Sequence, residues 1–335
     1  MGLSCRTQND DSQPARQDLS TQLGASNSCI SRRVPKSKPV VTETPAPQPP
    51  TVSHVRFARN ELLWYKAFWG AREKGQGLME VRILGAHVTE IAGARPTALV
   101  IDETLALDAG SLCSGLTLDD QRKLKAVLIT HYHYDHVKDL PMIGMNFAYY
   151  GCLDVYGTAA VFEALSTHLL DGKLYPNFLQ WPESQPALNF IRLEEYERIS
   201  VAGYSVVALP VPHGVPTVGF HVTSPEGKSL FFTGDTAGGL SGCWEHISPE
   251  LFITEMSWPQ DMEAWARRTT HLSPQILKTD LVEFRRLKGY LPRVVLIRAV
   301  IEMAGDAVGQ SIVREIGITP TVGVMAVGTL PGEVT

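Results

Sequence analysis

The sequence predicts an α/β (α+β) fold, a sheet-rich core with helices packed on its outside. Three observations carry that prediction. Short apolar runs with strand character recur along the chain, helical segments fall between several of them, and strands outnumber helices. With 44% hydrophobic and 19% charged residues, the 335-residue chain can build a sizeable core as one large domain or two ordinary ones.

Residues 1–54 are rich in Ser, Thr, Gln and Pro and end in Thr44-Pro45-Ala46-Pro47-Gln48-Pro49-Pro50. Such a composition buries too little apolar surface to offset its ordering entropy, so it reads as a disordered low-complexity extension. Residues 55–78 read as a linker or a short amphipathic helix, because Leu62, Leu63, Trp64, Phe68 and Trp69 stand among basic residues. The main domain spans 79–335 and opens on the strand-like run Met79-Glu80-Val81-Arg82-Ile83-Leu84-Gly85. Leu105 to Gly110 reads as a strand ending in a turn. Thr117 to Lys125 reads as a helix, with Thr117 as N-cap and Asp119 and Asp120 suiting the helix dipole. Ala126 to Thr130 is a short apolar strand. Further strands are expected at 204–211, 217–223, 229–233, 250–254 and Val294 to Ile297, with a helix from Ser273 to Leu287.

Composition also excludes some classes. No run approaches the roughly 18–20 apolar residues of a membrane span, and the N-terminus shows no apolar signal region. Five scattered cysteines without a Cys-x-x-Cys pair argue against a disulfide framework and a zinc ribbon. Cytoplasm is the expected location. Residues 1–78 hold 11 Lys/Arg against 6 Asp/Glu, which leaves 19 against 29 in 79–335. An acidic domain disfavours non-specific binding to nucleic acid backbones.

The apolar strand at Ala126 runs into His131-Tyr132-His133-Tyr134-Asp135-His136. On an extended backbone alternate side chains share a face, so His131 and His133 converge on one ion. Asp135 and His136 lie on the turn beyond and reach a second. Imidazole nitrogens with a carboxylate oxygen suit zinc, and also Mn or Fe. Two later segments repeat the pattern of a strand delivering a ligand at its end. Val206 to Val211 leads into Pro212-His213-Gly214, and Ser229 to Phe232 leads into Thr233-Gly234-Asp235. His213 is the third ligand expected for the first ion. Asp235 is placed to bridge both ions through its two oxygens, with Gly234 permitting close backbone approach.

The set His131-x-His133-x-Asp135-His136, then His213, then Thr233-Gly234-Asp235, resembles the metallo-β-lactamase superfamily over about residues 79–298. That resemblance implies a four-layer αββα sandwich with metals at one edge of the two sheets. It also implies two divalent ions and a metal-bound hydroxide as nucleophile, since coordination lowers the pKa of water. Pro212 to Phe220 is similar to the third-ligand segment of the phosphodiesterase branch. That branch contains ribonuclease Z and the class II cyclic-nucleotide phosphodiesterases. Thr270-His271-Leu272-Ser273-Pro274 resembles a His-Leu-Thr-Pro segment of the latter, and Lys173 to Phe178 resembles a Trp-Pro-Asp-Phe stretch near the cleft. The catalytic candidates are therefore Asp135 and His271, His271 either protonating the departing alkoxide or capping the helix at Ser273. Dimers are common in the resembling family, so a homodimer is an assembly that the resemblance allows.

The pattern departs at one point. The family ends a late strand in a histidine, but no histidine follows His271, and Val294 to Ile297 runs into Arg298. Arg298 either leaves a weaker second site of Asp135, His136 and Asp235, or contacts a substrate phosphate bidentately. The resulting expectation is a metal-dependent phosphodiesterase acting on a cyclic nucleotide or other small phosphate diester. The alternatives are a hydrolase of a thioester, lactone or other ester, a ribonuclease Z-like RNA 3′-end endonuclease, and a decayed single-metal binding protein. The absence of a long Gly/Pro-rich arm or basic cluster between His136 and His213 weighs against tRNA as substrate.

Overall fold

A computed structural model of the chain describes residues 65–69, 79–91, 94–297 and 326–328. Among these, the strands form two seven-stranded sheets. The first runs, edge to edge, β1 (Tyr65–Trp69), β2 (Met79–Gly85), β3 (Ala98–Ile101), β4 (Leu105–Leu107), β5 (Ala126–Leu128), β6 (Leu153–Gly157) and β7 (Leu188–Arg192). The second runs β8 (Arg198–Val201), β9 (Tyr204–Pro210), β10 (Val218–Thr223), β11 (Ser229–Phe232), β12 (Leu251–Glu255), β13 (Arg293–Ile297) and β14 (Ala326–Gly328).

Pairing direction decides where the helices go. Strands β4 to β7 pair in parallel, as do β11 to β13. A parallel pair needs a crossover, and a crossover helix must lie on a face of its sheet. In the first sheet α1 (Leu112–Gly115) and α2 (Leu118–Gln121) join β4 to β5, α3 (Tyr134–Val137) and α4 (Leu140–Phe147) join β5 to β6, and α5 (Ala159–Ala164) precedes β7. In the second, α6 (Ser241–His246) joins β11 to β12, and α7 (Glu263–Thr269) and α8 (Pro274–Lys288) join β12 to β13. The result is the four-layer αββα sandwich.

Period-two alternation builds the layers. In β11, Leu230 and Phe232 face the core between the sheets, while Phe231 points outward into the cluster under α6 and α8. Strands β4 and β5 behave alike, with Leu105, Leu107 and Leu128 inward and Ala106 and Val127 outward. Burying one such Leu or Phe is worth roughly 1.5–3 kcal/mol, so a one-residue slip in register is strongly penalised.

The strands expected from pattern at 204–211, 217–223, 229–233, 250–254 and Val294 to Ile297 correspond to β9 to β13, and the late helix to α8. Thr117 caps α2 by accepting from the backbone N–H of Asp120 at 3.2 Å, but that helix ends at Gln121. Within 55–78, read as linker or amphipathic helix, the chain instead forms β1 at Tyr65–Trp69, paired antiparallel with β2. A sheet edge offers backbone partners that a single-segment pattern does not reveal. The extension 1–54 lies outside the described residues. No helix among the described residues is long and apolar enough to cross a membrane.

Candidate metal centre

Five strands end at one place. Asp108 follows β4, Thr130 and His131 follow β5, His213 follows β9, Asp235 follows β11, and Glu255 closes β12. Two close approaches make this convergence possible. The backbone N–H of Val218 donates to the carbonyl of Thr130 at 3.1 Å, tying the two sheets together beside the site. Gly234 has φ +62, and a Cβ there would stand 2.8 Å from Thr130 Oγ1, so only glycine lets the Asp235 turn sit so close.

His131 and His133 lie on an extended stretch, and His133 is the N-cap of α3. The helical turn then carries Asp135 and His136 to the same place. His133 Nδ1 lies 3.0 Å from His131 Nε2 and 3.3 Å from His213 Nε2. Asp235 Oδ2 is 3.8 Å from both His131 Nε2 and His213 Nε2, whereas Oδ1 is 3.3 Å from His136 Nε2. Asp135 Oδ2 is 3.6 Å from His136 Nε2. The donors thus fall into three groups that share Asp235, namely His131, His133, His213 with Asp235, then Asp135, His136 with Asp235, and Glu255, His271 with Asp235.

Hydrogen bonds behind the rings settle which nitrogens carry lone pairs. His213 Nδ1 donates to the carbonyl of Thr270 at 3.0 Å, so its Nε2 is bare. The Thr130 hydroxyl donates to Asp108 at 3.0 Å and therefore accepts from His131 Nδ1 at 3.0 Å, leaving His131 Nε2 bare as well. His133 has one proton at most to offer to both. Lone pairs of His131 and His213 and a carboxylate oxygen therefore face a common point with His133 Nδ1, which can satisfy only one of them, an arrangement that a cation relieves. Burial pushes the pKa of His131 well down, the neighbouring His136 charge adding to this, and burial lowers His133 and His213 too. All three favour the neutral form that binds a metal.

His136 differs. Burial opposes its charge, but Asp235 and then Asp108 outweigh burial and push its pKa up to about 10. Its Nδ1 donates to Asp108 Oδ2 at 2.7 Å, so Nε2 is the nitrogen presented to Asp235 and Asp135. A divalent cation there would take the place of the proton. The donor chemistry of the first two groups thus fits a divalent ion, with zinc, Mn or Fe all compatible with imidazole and carboxylate.

The supporting residues escaped the sequence reading. Asp108 is fully buried with φ +59, and accepts from the Thr130 N–H at 2.8 Å as well as from the Thr130 hydroxyl and His136. Thr270 has φ +58, an unusual conformation for a β-branched residue, and it aims its carbonyl at His213. Glu255, 1% exposed, accepts from His271 Nδ1 at 2.7 Å and from the Thr236 N–H at 2.8 Å, while its other oxygen takes Leu272 N–H and the Ser257 hydroxyl. His271 does not cap α8, whose N-cap is Ser273; it stands 4.0 Å from Asp235 Oδ2 with its ring 5.1 Å from that of His213. Asp108 and Glu255 share one sequence signal, an acid ending an apolar strand, as His131 and Asp235 do in their own strands. Arg298 lies outside the described residues. In Lys173 to Phe178, Phe178 is buried and Tyr175 packs against the outer core of the first sheet, while Leu174 is exposed.

Residues 109–283, slightly over half of the chain, match the model of the β-lactamase superfamily domain. The chain belongs to the metallo-β-lactamase superfamily. Solved structures with the same fold include yeast PDE1, at 16% identity and TM-score 0.60, covering 71% of this chain and 92% of PDE1. The metallo-β-lactamase fold protein YhfI from Bacillus subtilis aligns at 16% identity and TM-score 0.57, with the same 71% and 92% coverage. A diphosphatase of the PhnP family aligns at 12% identity and TM-score 0.52, covering 74% of this chain and 93% of its own. No curated protein sequence matches the chain. Metallo-β-lactamase membership makes this a metal-dependent hydrolase fold, and the His/Asp cluster is where divalent metal binding fits.

Proposed function

We propose that this metallo-β-lactamase-fold chain is a phosphodiesterase acting on a cyclic nucleotide or other small phosphate diester, with two divalent ions, zinc foremost. His131, His133, His213 and Asp235 hold one ion; Asp135, His136 and Asp235 hold the other. Bound ions supply a Lewis acid for a phosphate oxygen and draw the pKa of water towards neutrality. The remaining work belongs to side chains. Asp108, Thr130 and the Thr270 carbonyl fix the ring orientation and protonation of His136, His131 and His213.

The observation that carries the reading is the His271–Glu255 pair at the edge of the donor cluster. With Nδ1 held by the buried Glu255 carboxylate at 2.7 Å, the imidazole is oriented to give a proton from Nε2 to the departing alkoxide. Glu255 steadies the imidazolium before transfer, and the same Nδ1 stands 4.0 Å from Asp235 Oδ2, which sets the ring at the edge of the donor cluster. A diester whose leaving group is a poor alkoxide needs such an acid. Two fold neighbours, named PDE1 and a diphosphatase, support a phosphate-directed reading.

The test is hydrolysis of bis(p-nitrophenyl) phosphate and of cyclic AMP by purified chain loaded with Zn or Mn. Turnover is expected, and His133→Ala is expected to abolish it. Inactivity with every divalent metal tried, alongside turnover of a thioester, would move the chain to the ester-hydrolase class.

A further inference from the structure

The segment between Glu255 and His271 is pinned to the metal centre at both ends. Ser257 bonds Glu255, Trp258 N–H donates to the Leu272 carbonyl at 3.1 Å, and Thr270 holds His213. Between these anchors stands α7, seated in the core by Ala266, which is fully buried. Its outer side carries Trp265, 43% exposed, with the Arg268 guanidinium over the indole at 5.2 Å from the ring centroid.

Packing explains only part of this pair. The Trp265 indole meets Trp258 in a T-shaped contact at 6.2 Å, and Trp258 Nε1 donates to Thr269 Oγ1. That holds one side of the ring. The adjacent Arg267 is neutralised by Glu263 at 2.7 Å, whereas Arg268 is exposed and makes no carboxylate contact among the described residues. An uncompensated cation is notable in a domain of 19 basic and 29 acidic residues over 79–335. Arg268 precedes His271 by three residues, a backbone span of at most roughly 11 Å. That bound keeps Arg268 within reach of the base of a nucleotide whose phosphate sits beside His271.

Resting on the phosphodiesterase reading, we propose that Trp265 and Arg268 form the subsite for the nucleobase of the substrate. The base lies on the outer face of the guanidinium, which in turn lies on the indole, so that a planar cation is sandwiched between two π surfaces. A guanidinium suits this place because it is planar, weakly hydrated and stacks on both base and indole. A lysine would keep the charge and lose the plane.

The experiment compares binding of AMP and ribose 5-phosphate to the metal-loaded full-length chain by titration calorimetry. Stacking one base contributes about ten-fold or more in affinity, so wild type is expected to prefer AMP by at least that ratio. Trp265→Ala and Arg268→Ala are expected to bring the ratio close to one. Trp265→Phe keeps a ring and should retain most of the preference, separating stacking from damage to α7; Arg268→Lys should fall between. A wild-type ratio near one, or a preference that survives in both alanine variants, overturns the subsite. Hydrolysis of bis(p-nitrophenyl) phosphate separates the two conclusions. Turnover with a ratio of one removes the subsite alone, and an intact ratio without turnover removes the phosphodiesterase reading alone.

Discussion

His221→Leu is expected to make the folded chain less sensitive to acid. His221 lies on β10 with only 7% of its surface exposed, and neither ring nitrogen has a hydrogen-bond partner among the described residues. Its cross-strand neighbours are Val207 on β9 and Phe231 on β11, and Arg198 on β8 extends the same row across the sheet. Burial, with a smaller push from the Arg198 charge, lowers its pKa from 6.5 to about 4. Because the folded value lies below the unfolded one, neutral His221 is favoured by folding. Its contribution is fully present above pH 6.5 and is lost as pH falls towards 4. Between pH 7 and pH 5 this linkage removes about 2 kcal/mol from the unfolding free energy. Leucine is close in volume, does not titrate and leaves no bare nitrogen, so the variant should lack that acid loss and be at least as stable at pH 7. Urea unfolding of both proteins at pH 7 and pH 5, with chelator present, isolates the effect, since the metal-site histidines titrate in both and cancel. A stability difference unchanged between the two pH values would refute the assignment of His221 as a buried neutral imidazole.

Other outcomes follow from the centre itself. Asp108→Asn keeps the shape but removes the charge opposite His136 and one acceptor of the Thr130 pair, so zinc affinity should fall roughly 10–100-fold in a chelator competition assay. Unchanged affinity would show that Asp108 serves only the backbone. Gly110→Ala would set a Cβ 2.0 Å from the Asp135 carbonyl oxygen; displacement of the ligand turn should lower both the melting temperature and the metal bound per chain, read by calorimetry and elemental analysis. Glu255→Gln should lower kcat more than it raises KM and shift the acid-dependent limb of the pH–rate profile, because it acts through His271 rather than on substrate.

Much of the centre was legible because strands announce their ends. An apolar run of four or five residues that stops at a histidine or an aspartate places that side chain at a sheet edge, and His131, His213 and Asp235 all follow this form. Asp108 and Glu255 follow it too, yet an acid after a strand is locally indistinguishable from an ordinary turn residue. Their meaning depends on His136, 28 residues from Asp108, and on His271, 16 residues from Glu255. The strand at Tyr65–Trp69 was hidden for a related reason, since its partner, β2, supplies the edge that makes it a strand.

By itself the sequence determined a sheet-rich core with helices outside it, and it singled out the six side chains from His131 to Asp235 that the fold brings together. These are properties of single segments, read from period and residue type. Tertiary structure decided which oxygen of Asp235 serves which group, which nitrogen His131, His136 and His213 present to it, and that His271 is held by Glu255 rather than spent on a helix cap. Those outcomes depend on non-local contacts, such as the Val218–Thr130 hydrogen bond that draws the two sheets together, and no local pattern encodes a contact between strands that lie far apart in the chain.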